Sequence, residues 1–183
     1  MKVIFSHGHL SSPQSRKIQV LAPLTEALGF ETDAIDYSDL QDDPYGRVDR
    51  LCAAIEALES PPLLVGSSLG GLVSMAAAER FEVAGLFLMA PALFMEDRVP
   101  GGTVREAYAP KTEHVCLVHG WHDDIVEPER SLRYAAASGT TLHLLPADHG
   151  LDGALDQIGL LLTDFIKRAG SVPQSSMVSH SKR

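Results

Sequence analysis

Cations are scarce in this chain. Against 24 Asp and Glu stand 15 Lys and Arg, a formal net charge of −9 over 183 residues with a pI near 5.3. Neutralising nucleic-acid phosphates needs a basic stripe, and the few Lys and Arg are scattered, so no nucleic-acid partner is expected. The same charge would not draw the chain to an anionic membrane. Cysteine is rarer still: Cys52 falls on the apolar face of an expected helix and Cys116 inside an expected strand, without Cys-x-x-Cys spacing. Both read as buried free thiols. No apolar run reaches membrane-spanning length, and Met1-Lys2-Val3-Ile4-Phe5 is too short for the apolar core of a secretory signal before it meets His7-Gly8. The expectation is a soluble cytoplasmic protein with no membrane insertion.

No repeat or second compositional regime divides the chain, and 45% hydrophobic content over 183 residues suffices for one full core. Residues 1–169 are expected to form a single domain. The remaining 170–183 are polar and Ser-rich with little to bury, and read as a disordered tail.

Six short apolar runs read as strands, at Lys2 to Ser6, Glu31 to Tyr37, Leu63 to Ser67, Ala84 to Ala90, His114 to His119 and Thr140 to Pro146. Most are too continuously apolar for a half-exposed sheet. Helical spacing separates them, as in Val48, Leu51, Cys52, Ile55 and Leu58, or Leu155, Ile158, Leu162, Phe165 and Ile166. Alternation of this kind calls for an α/β fold, a mainly parallel sheet with helices on both faces. Ligands bind outside the carboxyl ends of such strands. The connection from Pro91 to Lys111, rich in Pro and Gly, is the place for a minimal cap or pocket wall, or is an ordinary surface loop.

At that edge the sequence offers chemistry. Leu63-Leu64-Val65-Gly66-Ser67-Ser68-Leu69-Gly70-Gly71 breaks an apolar run into Gly-x-Ser-x-Gly and then an Ala-rich helical segment. This is the context of a nucleophile elbow, in which Ser68 sits on a strained strand-to-helix turn and the residues two before and two after must be small. Leu69, opening the helix, would offer its backbone N–H to an oxyanion. A serine hydroxyl needs a base and an orienting acid. Asp123 follows the fifth strand and His149 the sixth, in the chain order Ser, Asp, His. Asp123 is preferred to Asp124 because it stands three residues past Gly120, Asp124 being suited to a cap or to solvent. The loop His7-Gly8-His9-Leu10 would supply the second oxyanion donor, the His9 backbone N–H, with His7 bonding across the loop. Ser12 before Pro13 reads as a helix N-cap. His7, His9, His119, His122 and Asp123 are ligand types that zinc accepts, but a metal would leave the serine elbow unexplained, so neither metal nor cofactor is expected.

Taken together, His7-Gly8 with Ser11-Ser12-Pro13, the run Val65 to Gly71, the Pro91-Ala92 pair and Asp148-His149 resemble the α/β-hydrolase superfamily and, within it, the small bacterial YqiA-type esterases. The resemblance covers roughly residues 1 to 168. It implies an α/β-hydrolase fold and a serine esterase or thioesterase with Ser68, Asp123 and His149 as triad, acting on a small acyl ester or thioester without a cofactor. Trp121-His122 before the acid and a short connection after the fourth strand depart from that pattern. Acyl transfer to an alcohol or amine would use the same residues, and a binding or scaffolding protein could keep the fold without the chemistry. Oligomeric state is not legible in the sequence.

Overall fold

In the computed structural model, which describes residues 1–96 and 103–170, the apolar runs become six parallel strands with helices between them. The order along the chain is β1 (Lys2–Ser6), α1 (Arg16–Glu26), β2 (Glu31–Ile35), α2 (Pro44–Glu56), β3 (Leu63–Ser67), α3 (Leu69–Arg80), β4 (Gly85–Met89), β5 (Val115–Gly120), α4 (Pro128–Ser138), β6 (Thr141–Leu145) and α5 (Leu155–Gly170). The sheet order is β2-β1-β3-β4-β5-β6. This is the expected α/β-hydrolase architecture in one domain.

The continuous apolarity of the strands has a simple cause: successive side chains enter different cores. Ile4, Leu64, Leu86, Leu88 and Leu117 pack with Val48, Leu51 and Ile55 of α2, Leu72 and Met75 of α3 and Tyr134 of α4. Val3, Phe5, Leu63, Val65, Phe87 and Val118 pack with Ile18 and Leu21 of α1 and Ile158, Leu162 and Ile166 of α5. Each fully buried Leu, Ile or Phe side chain stabilises by roughly 1.5–3 kcal/mol, so both faces contribute. Cys52 and Cys116 are buried free thiols, one in each core.

The order of strands places the site. The chain steps from β1 outward to β2, then crosses back to lay β3 on the other side of β1. The carboxyl ends of β1 and β3 therefore flank the switch point, where a crevice opens.

Two expectations change. Ser12 does not cap a helix: Ser12-Pro13 forms a turn, with the Ser12 Oγ accepting from Gln14 N–H, and α1 begins three residues later with Ser15 at its N-cap. The Ser-Pro signal is the same for either structure, and the turn spans the distance from the β1 loop to the helix. α5 closes on Gly170, one residue into the expected tail, and 171–183 lie outside the described residues. Among the described residues no helix is long and apolar enough to cross a membrane.

Tyr37, just past β2, is fully buried and its hydroxyl lies 3.0 Å from Ser6 Oγ. Burial pushes its phenol up to about 12. An unfolded tyrosine ionises near pH 10, so stability held below that pH is lost as it rises through the folded value, by about 2–3 kcal/mol at the top of the window. Urea unfolding at pH 9 and pH 12 checks this. Tyr37→Phe is expected to lose correspondingly less than the parent between the two.

Candidate active site

Ser68 links β3 to α3 with φ 54° and ψ −122°, a conformation that costs a non-glycine residue about 1–3 kcal/mol. Its backbone is fixed on both sides: Ser68 N–H donates to Met89 O at 2.9 Å, and Ala92 N–H donates to Ser68 O at 3.0 Å. The glycines are forced by space. A Cβ on Gly66 would lie 2.6 Å from Gly70 O, and one on Gly70 would lie 2.1 Å from Ser6 O, so α3 reaches its place against β1 only without side chains there.

Asp123 and His149 come together because the β5–β6 pairing continues past the strands. Trp121 N–H donates to Leu145 O at 2.8 Å and His122 N–H to Ala147 O at 2.9 Å. The two residues that depart from the family pattern thus carry the ladder into the loop. The result is a continuous chain: Asp123 Oδ2 lies 2.8 Å from His149 Nδ1, and His149 Nε2 lies 3.1 Å from Ser68 Oγ. A carboxylate only accepts, so Nδ1 carries the proton and Nε2 is free to accept from the serine hydroxyl. Asp124 is exposed.

Asp123 is held from every side. Its Oδ1 accepts from Ile125 N–H at 3.0 Å and Val126 N–H at 2.9 Å, while Oδ2 also accepts from His119 Nε2 at 3.0 Å. Burial alone would raise its pKa, but the Val126 N–H, the His149 ring and the Ile125 N–H together hold it below the usual carboxylate range. His119 is fully buried. Its Nε2–H is shared with Val126 O at 2.8 Å, and its Nδ1 lies 2.7 Å from Ser131 Oγ, the arrangement of a neutral ring. Burial keeps its pKa below the ordinary histidine value. His119 is thus a partner of Asp123 and not a free ligand. Its signal in the sequence was a histidine two residues past Leu117, on the core-facing register of a buried strand.

The loop after β1 is equally constrained. His7 Nε2 accepts from Tyr37 N–H at 3.0 Å, and its Nδ1 donates to Gly8 O at 2.9 Å, the cross-loop bonding expected of it. Arg47 of α2, fully buried, donates to Leu40 O at 2.7 Å and Gln41 Oε1 at 2.8 Å, and reaches His7 O and Gly8 O at 3.4 and 3.3 Å. Because the peptide is trans and planar, turning the Gly8 carbonyl toward Arg47 and His7 sends the His9 N–H the opposite way. Gly8 lies against the nucleophile, where an added Cβ would be 3.2 Å from Ser68 Cβ. The His9 ring meets Asp42 at 3.1 Å. Leu69 is the first residue of α3, so its N–H has no acceptor within the helix. Arg47 was invisible in the sequence, since its partners are carbonyls from two distant loops.

Two cavities meet at Ser68. The larger, about 390 Å3, is walled mainly by Leu69, Leu72, Ala92, Met95, Ile125 and Val126, with His9, Gln41 and Asp42 on its polar side. Ala92 and Met95 make the start of the Pro91 to Lys111 connection a pocket wall; its residues 97–102 lie outside the described residues. The smaller, about 140 Å3, is lined by His149, Ser11, Ser15 and Lys17 among others.

Residues 2–125 match the uncharacterised protein family UPF0227. No curated protein matches the chain in sequence. Among solved structures, a Xanthomonas campestris pv. campestris protein provisionally assigned to the alpha/beta hydrolase superfamily superposes with a TM-score of 0.80 at 24% identity, covering 91% of this chain and 98% of that one. Mouse alpha/beta hydrolase domain-containing protein 10 gives 0.72 at 24% identity, covering 91% and 90%. Est1E from Butyrivibrio proteoclasticus gives 0.74 at 18% identity, covering 93% and 88%.

Proposed function

The chain belongs to the UPF0227 family and has the α/β-hydrolase fold, and from that footing we propose that it is a serine hydrolase cleaving carboxylic esters or thioesters through an acyl-enzyme. The observation that carries this is the unbroken hydrogen-bonded chain from Asp123 through His149 to a serine held at φ 54°.

In this reading Ser68 Oγ attacks the carbonyl carbon as His149 Nε2 takes its proton. The carbonyl oxygen, now negative, accepts from the Leu69 and His9 N–H groups; each donor of this kind is worth about 3 kcal/mol of barrier. Asp123 keeps the imidazole in its accepting tautomer and stabilises the imidazolium. Collapse of the tetrahedral species breaks the bond to the alcohol or thiol, which leaves with the proton from His149. Water then loses a proton to the same ring and attacks the acyl carbon; the bond to Ser68 Oγ breaks, the acid leaves, and His149 returns the proton to Ser68. The apolar side of the larger cavity, from Leu69 and Leu72 to Met95 and Val126, suits the acyl chain.

Intact-protein mass after treatment with a fluorophosphonate tests the proposal. One adduct on the parent and none on Ser68→Ala is the expected result. A folded parent that takes no adduct would overturn it and favour a binding role for the fold.

A further inference from the structure

Lys17, in the first turn of α1, lines the small cavity beside Ser68 and His149. Among the described residues it is the one Lys or Arg on that wall, and no carboxylate lines it. Its ammonium makes no hydrogen bond or ion pair among the described residues; it feels Asp152, Asp148 and Asp123 only from beyond ion-pair distance. Burial pulls its pKa down, against the pull of those carboxylates. Ser11 and Ser15 share the wall, and neither hydroxyl has a hydrogen-bond partner among the described residues. All three side chains are partly exposed, so their donors are open to whatever enters the cavity, and Lys17 is the one full positive charge among them.

We infer that Lys17 binds a carboxylate on the leaving group, so that the preferred substrates are esters of an apolar acid with a small hydroxy acid. The inference rests on the hydrolase reading above. The assignment of sides follows from the chemistry. His149 must hand its proton to the departing oxygen, so the leaving group lies on the side that His149 lines. His149 lines the small cavity and is not part of the larger one, which is mostly apolar and whose charged lining residue, Asp42, would repel a carboxylate. At about 140 Å3 against about 390 Å3 the small cavity is much the tighter of the two, which suits a small acid. The nearby Asp148, Asp152 and Asp123 would repel a second negative charge, which favours a carboxylate over a phosphate dianion. The overall charge of −9 repels anions in general, so any preference for one has to come from a local cation.

The test compares kcat/KM for three butanoate-type substrates on the parent and on Lys17→Met. These are the butanoate ester of 3-hydroxypropanoate, its neutral 3-hydroxypropanamide counterpart, and ethyl hemisuccinate, which carries the charge on the acyl side. The parent is expected to favour the first over the second by about tenfold, and the ratio to fall to near one in Lys17→Met. A loss of folded protein scales both rates and leaves the ratio alone. Ser68-dependent turnover with no charge preference in the parent, or with the preference kept in Lys17→Met, overturns the inference while the hydrolase reading stands. A preference for the hemisuccinate overturns it too. If none of the three esters is cleaved by a Ser68-dependent route, and no fluorophosphonate adduct forms, both readings fall together.

Discussion

Asp123→Asn is expected to fold and to lose about four orders of magnitude in turnover of a short-chain p-nitrophenyl ester, as much as loss of the Ser68 hydroxyl. The reason lies in the number of donors around one carboxylate. Ile125 N–H and Val126 N–H point at one oxygen, and His149 Nδ1 and His119 Nε2 at the other. An asparagine can satisfy the backbone pair with its carbonyl oxygen, but its NH2 then faces two ring N–H groups. His149 escapes that clash only by moving its proton to Nε2, the atom that has to accept from Ser68. The buried mismatch also costs about 1–3 kcal/mol of stability, visible as a lower urea midpoint. Asp124→Asn, at an exposed position, serves as the control and is expected to match the parent. Turnover by Asp123→Asn within tenfold of the parent would sink the assignment of the acid.

Arg47→Met is expected to be the most destabilising of the single substitutions considered, by about 2–4 kcal/mol in urea unfolding. Methionine fills the volume and removes the charge, so no unpaired cation is left behind. The cost comes from the acceptors: Leu40 O and Gln41 Oε1 lose short bonds, and His7 O and Gly8 O, beside the buried His7 ring, lose longer ones. With the Gly8 carbonyl released, the His9 N–H is no longer aimed, and kcat is expected to fall at least tenfold even where the protein stays folded. Arg47→Lys keeps the charge without the planar fork, and is expected to recover stability only in part. Equal stability and kcat in Arg47→Met would mean that His7 alone fixes the loop.

The fold was legible because the four inner strands, β1, β3, β4 and β5, are buried on both faces, which turns Leu63-Leu64-Val65 or Leu86-Phe87-Leu88-Met89 into an unbroken apolar run. The geometry of Ser68, Asp123 and His149 was legible because each stands within four residues of a strand's carboxyl end, where chain order and sheet order together leave little choice of position. Their neighbours were harder to read. Arg47 is one arginine in an amphipathic helix until the carbonyls of residues 7, 8, 40 and 41 are brought around it. His119 counted as a possible metal ligand because sequence lists donors without their partners. The start of α1 was misplaced for a related reason, since Ser-Pro favours a turn and a helix start alike, and only the distance to be bridged decides between them.

The bond from Ala92 N–H to Ser68 O ties the nucleophile's own backbone to the segment that supplies Ala92 and Met95 to the larger cavity. Wall and nucleophile are therefore mechanically in series. On the proposed reading, an acyl chain long enough to push that wall outward also drags on the peptide that aims Ser68 Oγ. The enzyme then gauges chain length through the speed of the chemical step as well as through the tightness of binding, with a misfit registered as misalignment of the attacking oxygen.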